Sequence, residues 1–139
     1  MSERLLFLLN RVQHRLTTHV RRELKEQGLD LSKGQMGVLV VLHDGGEHTM
    51  GQLRDELDID RAALTRMVDK LESRGLVARR PDESDRRQVL IEATPQGTAQ
   101  AEAVDRIFEA ASRRIQQGLS EADLAAFRRV NVALLEKFE

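Results

Sequence analysis

The sequence predicts a mostly α-helical fold with a small two-stranded β-wing, a winged helix-turn-helix. Three observations lead there. Apolar residues recur every three or four positions over most of the chain, which is the period of one helix face. Two short helical stretches meet at a tight corner, Asp58-Ile59-Asp60. Directly after them, two strand-like runs flank one polar loop. A lone two-stranded hairpin is not stable in water, so this one must pack on the helices before it and serve as a wing.

The elements follow in order. Leu5, Leu9, Val12, Leu16, Val20 and Leu24 form one stripe of a long first helix, which Gly28 is placed to end. Ser32-Lys33-Gly34-Gln35 is a capping box, in which the serine hydroxyl and the glutamine amide satisfy each other's backbone N–H groups. It opens an apolar helix, Met36 to Leu42, closed by Gly45-Gly46. Thr49-Met50-Gly51-Gln52 is a second capping box and starts a short helix with Met50, Leu53 and Leu57 on one face. Asp60 caps the next helix, Arg61 to Arg74, which Gly75 terminates. Leu76 to Arg80 and Gln88 to Ala93 are the two strands, joined by a loop from Pro81 to Arg87. Thr94 is a cap followed by Pro95 at the first helical position, opening a helix that runs to about Gln117. Gly118 and Ser120 break it before a last amphipathic helix with Leu124, Phe127, Val130, Leu134 and Phe138.

Composition narrows the function. A chain of 139 residues suits one domain, and 40% apolar with 32% charged residues reads as folded and highly soluble. The absence of cysteine excludes a disulfide framework, a thiol nucleophile, a thiol redox switch and a Cys-ligated zinc. No apolar run is long enough to span a membrane and no signal peptide is indicated, so no membrane partner and a cytoplasmic location are expected. A net charge of −1 speaks at first against a polyanionic partner. The charge is unevenly spread, however: residues 61–87 carry eight basic and five acidic residues, +3 on a body of −4. The local field, not the total, decides where a polyanion docks.

That basic segment reads as a unit that binds double-stranded DNA. At about 100° per residue, Leu64, Met67, Val68 and Leu71 share the inner face of the helix, while Ala62, Thr65, Arg66 and Asp69 share the outer one. Small residues at 62 and 65 let the backbone approach a major-groove floor, and their methyl groups suit a thymine methyl. Arg66 can grip guanine with two hydrogen bonds, Arg61 suits a phosphate, and Lys70 is a further DNA-binding candidate. Arg86 and Arg87 sit near the wing tip, where an arginine can enter a narrow minor groove. Asp85 is an odd neighbour for DNA unless it anchors an arginine, with Arg87 and Arg66 the candidates. All four phenylalanines lie in the terminal helices, so the segment lacks the aromatic platforms that stack single-stranded bases.

The corner Leu53-Arg54-Asp55-Glu56-Leu57-Asp58-Ile59-Asp60, the helix Arg61 to Arg74, and Gly75-Leu76-Val77 together resemble the MarR family of bacterial transcription regulators. The wing triplet Asp85-Arg86-Arg87 and the sequence Thr94-Pro95-Gln96-Gly97 extend the resemblance. It implies a homodimeric, nucleoid-associated regulator, a repressor of a pseudo-palindromic operator. Arg87 would be its minor-groove arginine, Asp85 the partner orienting it, and residues 61–66 the source of major-groove contacts. Asp58 stands where the family often has glycine, and Ala93 where a leucine usually precedes the threonine. The family includes thiol-based oxidant sensors, a mode that the lack of cysteine removes here.

The terminal helices are more apolar than a winged unit needs. Residues 1–30 and 95–139 are therefore expected to form the dimerisation helices, and 31–94 the DNA-binding region, of one continuous chain. Leu5, Leu9, Val12, Leu16, Phe127, Leu134 and Phe138 would be buried between subunits, spacing two recognition helices about 34 Å apart. The resemblance also implies a small anionic aromatic effector. His14, Arg15, Met36 and His43 could line its site, though nothing in the sequence singles them out. No cofactor and no metal are expected: His14 and His19 lie about 140° apart on a helix, and His43 and His48 have no third ligand in sequence reach. Nor is an enzyme, since the one carboxylate cluster, Asp82, Glu83 and Asp85, lies on a polar loop. The alternative is a winged-helix module that binds protein rather than specific DNA.

Overall fold

A computed structural model describes residues 4–139. Its helices are α1 (Leu5–Glu26), α2 (Lys33–Gly45), α3 (Met50–Leu57), α4 (Arg61–Ser73), α5 (Pro95–Gln116) and α6 (Glu121–Lys137). Its strands are β1 (His48–Thr49), β2 (Val77–Pro81) and β3 (Val89–Ala93). Helix starts fall where local chemistry sets them. Both capping boxes form, with Ser32 Oγ accepting from Gln35 N at 3.2 Å and Thr49 Oγ1 from Gln52 N at 3.1 Å. Asp60 accepts from Ala63 N at 2.9 Å to start α4, and Ser120 accepts from Asp123 N at 3.1 Å to start α6. Asp58 takes up the left-handed conformation, φ 52° and ψ 47°, and so turns the corner between α3 and α4.

The sheet is three-stranded and antiparallel, in the order β1-β3-β2. The expected two-stranded wing is present as β2 and β3, and β1 adds a third strand beside β3. β1 is only two residues long, pairing His48 with Ile91 and Thr49 with Leu90, and so short a strand leaves no alternation to read. β2 and β3 form the hairpin itself, with Val77 opposite Ala93 and Pro81 opposite Val89.

The chain divides into two compact units, Met1–Ile107 and Phe108–Glu139. In the first, Leu24, Leu39, Leu53, Leu64, Leu71 and Ile91 are fully buried in one core fed by α1 to α5 and the sheet. Thr94 fastens the hairpin's base: its hydroxyl donates to the Gly75 carbonyl at 2.6 Å and accepts from Gly97 N at 3.1 Å. A Cβ on Gly97 would run into the Leu76 carbonyl, so α5 meets the wing only because that residue is glycine. The second unit holds the end of α5 and all of α6, where no α6 residue is fully buried.

Candidate nucleic-acid interface

α4 presents two distinct faces. Leu64, Val68 and Leu71 are fully buried, with Met67 half-buried beside them against Gly34. Arg61, Ala62, Thr65, Arg66, Asp69 and Lys70 are exposed. The Thr65 hydroxyl donates to the Arg61 carbonyl at 2.8 Å.

The basic residues of the central segment split into two groups. Arg79 on β2 reaches back to α4, donating to Asp69 Oδ1 at 2.6 Å and to Glu72 Oε1 at 2.8 Å. Burial works against its charge, and the hydrogen bonds to Asp69 and Glu72 more than offset this, so its pKa rises. Arg80 is ion-paired with Glu47 and, at 3.6 Å, with Glu92. Arg61, Arg66, Lys70 and Arg86 make no ion pair among the described residues. Arg74, just after α4, is likewise exposed without an ion pair among the described residues. Two arginines thus fasten the wing to the body, while the other six basic residues of the segment are exposed. Asp69 is exposed on the outward face that its position in the helix predicts, but its carboxylate is taken by Arg79. Pairing across ten residues of sequence has no local signature.

Asp85 holds Arg87, not Arg66. Its Oδ1 accepts from Arg87 Nε and from Arg87 N, both at 3.1 Å, while the Arg87 side chain stays 91% exposed. The arginine is therefore aimed without being covered. The loop before it is also pinned: Asp82 Oδ1 accepts from Ser84 Oγ at 2.7 Å and Ser84 N at 3.0 Å. The Ser84 hydroxyl first, and then its amide, hold the Asp82 carboxyl below the ordinary carboxylate range.

At the base of the wing, His48 is buried with both ring nitrogens engaged. Nδ1 lies 2.7 Å from the Gly46 carbonyl and Nε2 lies 2.9 Å from Glu56 Oε1 on α3. The other named residues lie apart from this surface. Met36 is buried in the core at 3% exposure. His14 and Arg15 are exposed on α1, His14 beside a groove it shares with Arg21, Arg22 and Lys25. His43 is half-buried beside Asp44 and Asp105, a grouping the sequence hid because Asp105 comes from α5. Among the dimer candidates, Leu5, Leu9, Val12, Leu16, Phe127 and Phe138 are exposed, and Leu134 is half-buried. No helix among the described residues is long and apolar enough to cross a membrane.

Residues 31–89 match the MarR family model. Over 96 residues the chain is 34% identical to the multiple antibiotic resistance protein MarR of Salmonella typhimurium, covering 69% of this chain and 63% of that one. The match thus spans less than two thirds of that relative's length. BpsR of Bordetella bronchiseptica, whose DNA binding is regulated by 6-hydroxynicotinic acid, is 29% identical with a TM-score of 0.80, over 99% of this chain and 94% of that one. S. aureus MepR, solved as a DNA complex, is 20% identical and shares the fold, with a TM-score of 0.88 over 99% of this chain and 100% of that one. By the family-model match over residues 31–89 and the 34% identity to MarR, the chain is similar to the MarR family.

Proposed function

We propose that this protein is a transcription regulator that binds operator duplex DNA as a homodimer on the nucleoid and represses by occluding a promoter. The observation that carries the reading is the sorting of its cations. Arg79 and Arg80 are half-buried and paired with acids of the fold itself, whereas Arg61, Arg66, Lys70, Arg86 and Arg87 are exposed on α4 and the wing. The regulation of BpsR's DNA binding supports it by likeness.

In this reading residues 31–94 are the DNA-binding region. α4 enters the major groove, Ala62 and Thr65 admitting the backbone and Arg66 reading guanine. Arg61, at the positive end of α4, and Lys70 take phosphates. Asp69 lies over the same face while its Arg79 partner sets the angle between helix and wing. Asp85 pre-orients Arg87 for a narrow minor groove, so that less side-chain freedom is lost on binding, and Arg86 contacts the backbone beside it. Residues 1–30 and 95–139 supply the dimer contacts. Leu5, Leu9, Phe127 and Phe138 are large apolar side chains left exposed in the single chain. A small anionic aromatic effector that weakens operator binding is the corresponding regulatory reading.

Selection of bound fragments from genomic DNA, followed by titration of the best fragment, tests the proposal. Arg66→Ala and Arg87→Ala should each cost about 1–3 kcal/mol of affinity. Unchanged binding in both would remove α4 and the wing from recognition and leave a protein-binding winged helix.

A further inference from the structure

We propose that His43, Asp44 and Asp105 form a site for a divalent first-row transition-metal ion that ties the end of α2 to α5. α2 ends at Gly45, so His43 and Asp44 lie in its last turn, where carbonyl groups leave a partial negative charge. Asp105 reaches them from α5. His43 Nε2 lies 3.9 Å from Asp105 Oδ2, and one donor atom from each of the three residues falls within 4.8 Å of the others. That His43–Asp105 separation is too long for a hydrogen bond. Donors bound to an ion at about 2.0–2.2 Å stand roughly 3–3.5 Å apart, so modest side-chain rotation around a shared ion would close the set.

The donor chemistry is consistent. One neutral imidazole and two carboxylates carry a charge matched to a dication, and this nitrogen and oxygen set suits zinc, cobalt or manganese rather than a soft monovalent ion. His43 and Asp105 are half-buried and Asp44 is exposed, leaving room for water at the remaining positions. Asp105 also has a further interaction elsewhere. The other histidines are less suited: His48 has both nitrogens occupied, and His14 and His19 lie on separate sides of α1. All three ligands belong to the first unit, so the ion would brace that unit directly. The site is independent of the DNA-binding reading.

The full chain, stripped with a chelator, is titrated with Zn2+ by calorimetry while His ring nitrogens are followed by 15N NMR. One ion per chain is expected, with the His43 ring resonances shifting and those of His14, His19 and His48 staying in place. Zinc at roughly a hundred times its Kd should raise the Tm by about 5–10 °C. His43→Gln and Asp105→Asn should each weaken binding at least tenfold, and Asp44→Asn less. If a variant fails to fold, the ring shifts in the unaltered protein decide alone. No saturable binding at millimolar zinc, or saturable binding that moves other histidines and leaves His43 unchanged, would overturn the site.

Discussion

On the surface proposed to face DNA, Asp85 and Arg87 show how one carboxylate can serve a cationic site. Asp85 spends its oxygens on the arginine's own backbone and guanidinium, so it does not stand as an uncompensated negative charge. Asp85→Ala should therefore weaken operator binding by less than Arg87→Ala does, roughly tenfold or below, by freeing the side chain rather than deleting it. Binding titrations of the two single variants and their double would show it; equal, additive losses would mean that the pair does not act as a unit. Asp82 carries a pH prediction. Its folded pKa is depressed by Ser84, so the turn is favoured above the ordinary aspartate value of about 4 and lost as pH falls through the lower folded value. A carboxyl-detected NMR titration should place its midpoint below that of a free aspartate, and a midpoint at or above it would contradict the turn. Asp58 sits in left-handed space without glycine's freedom. Asp58→Val should cost about 1–2 kcal/mol in chemical denaturation, and Asp58→Gly should be neutral or mildly stabilising.

α4 and the wing are positioned relative to each other by few contacts, each attributable. The Arg79 bridge to Asp69 and Glu72 spans β2 and α4, and Thr94 with Gly97 closes the other end. Arg79→Met should cost about 1 kcal/mol of stability, since part-exposed ion pairs are individually weak. It should also lower operator affinity although Arg79 is placed on no base; wild-type affinity would mean that the wing is held without it. Much of this level was legible in the sequence. Ser32, Thr49, Asp60, Thr94 and Ser120 announce helix starts because a cap is a contact between neighbours three residues apart. β1 was not legible, because two residues carry no period and its partner Ile91 lies on the far side of α4. The same reason hid the His48–Glu56 contact, the Arg79 bridge and the meeting of Asp105 with His43: each is a product of folding, not of local pattern. The outward face of α4 could be read because burying Leu64, Val68 and Leu71 fixes what remains outside.

At the scale of the whole molecule, the charge is close to balanced while its distribution is not, and intramolecular pairing sharpens the difference. Arg79 and Arg80 spend their charge on Asp69, Glu72, Glu47 and Glu92. Within residues 61–87, the other basic residues lie on α4, just after it at Arg74, and at the wing tip, and a homodimer would carry two such sets. The exposed apolar residues of α1 and α6 make that assembly testable in its own right. Leu9→Asp with Phe127→Asp should yield a soluble monomer by sedimentation that keeps its helical signal and loses operator affinity; a persisting dimer would place the interface elsewhere. The central claim, that free cations on α4 and the wing grip duplex DNA, is tested most directly by operator affinity as a function of salt. With about 6–10 phosphate contacts per dimer, affinity should fall about 10³–10⁵-fold between 50 and 200 mM salt, and a flat dependence would contradict the account.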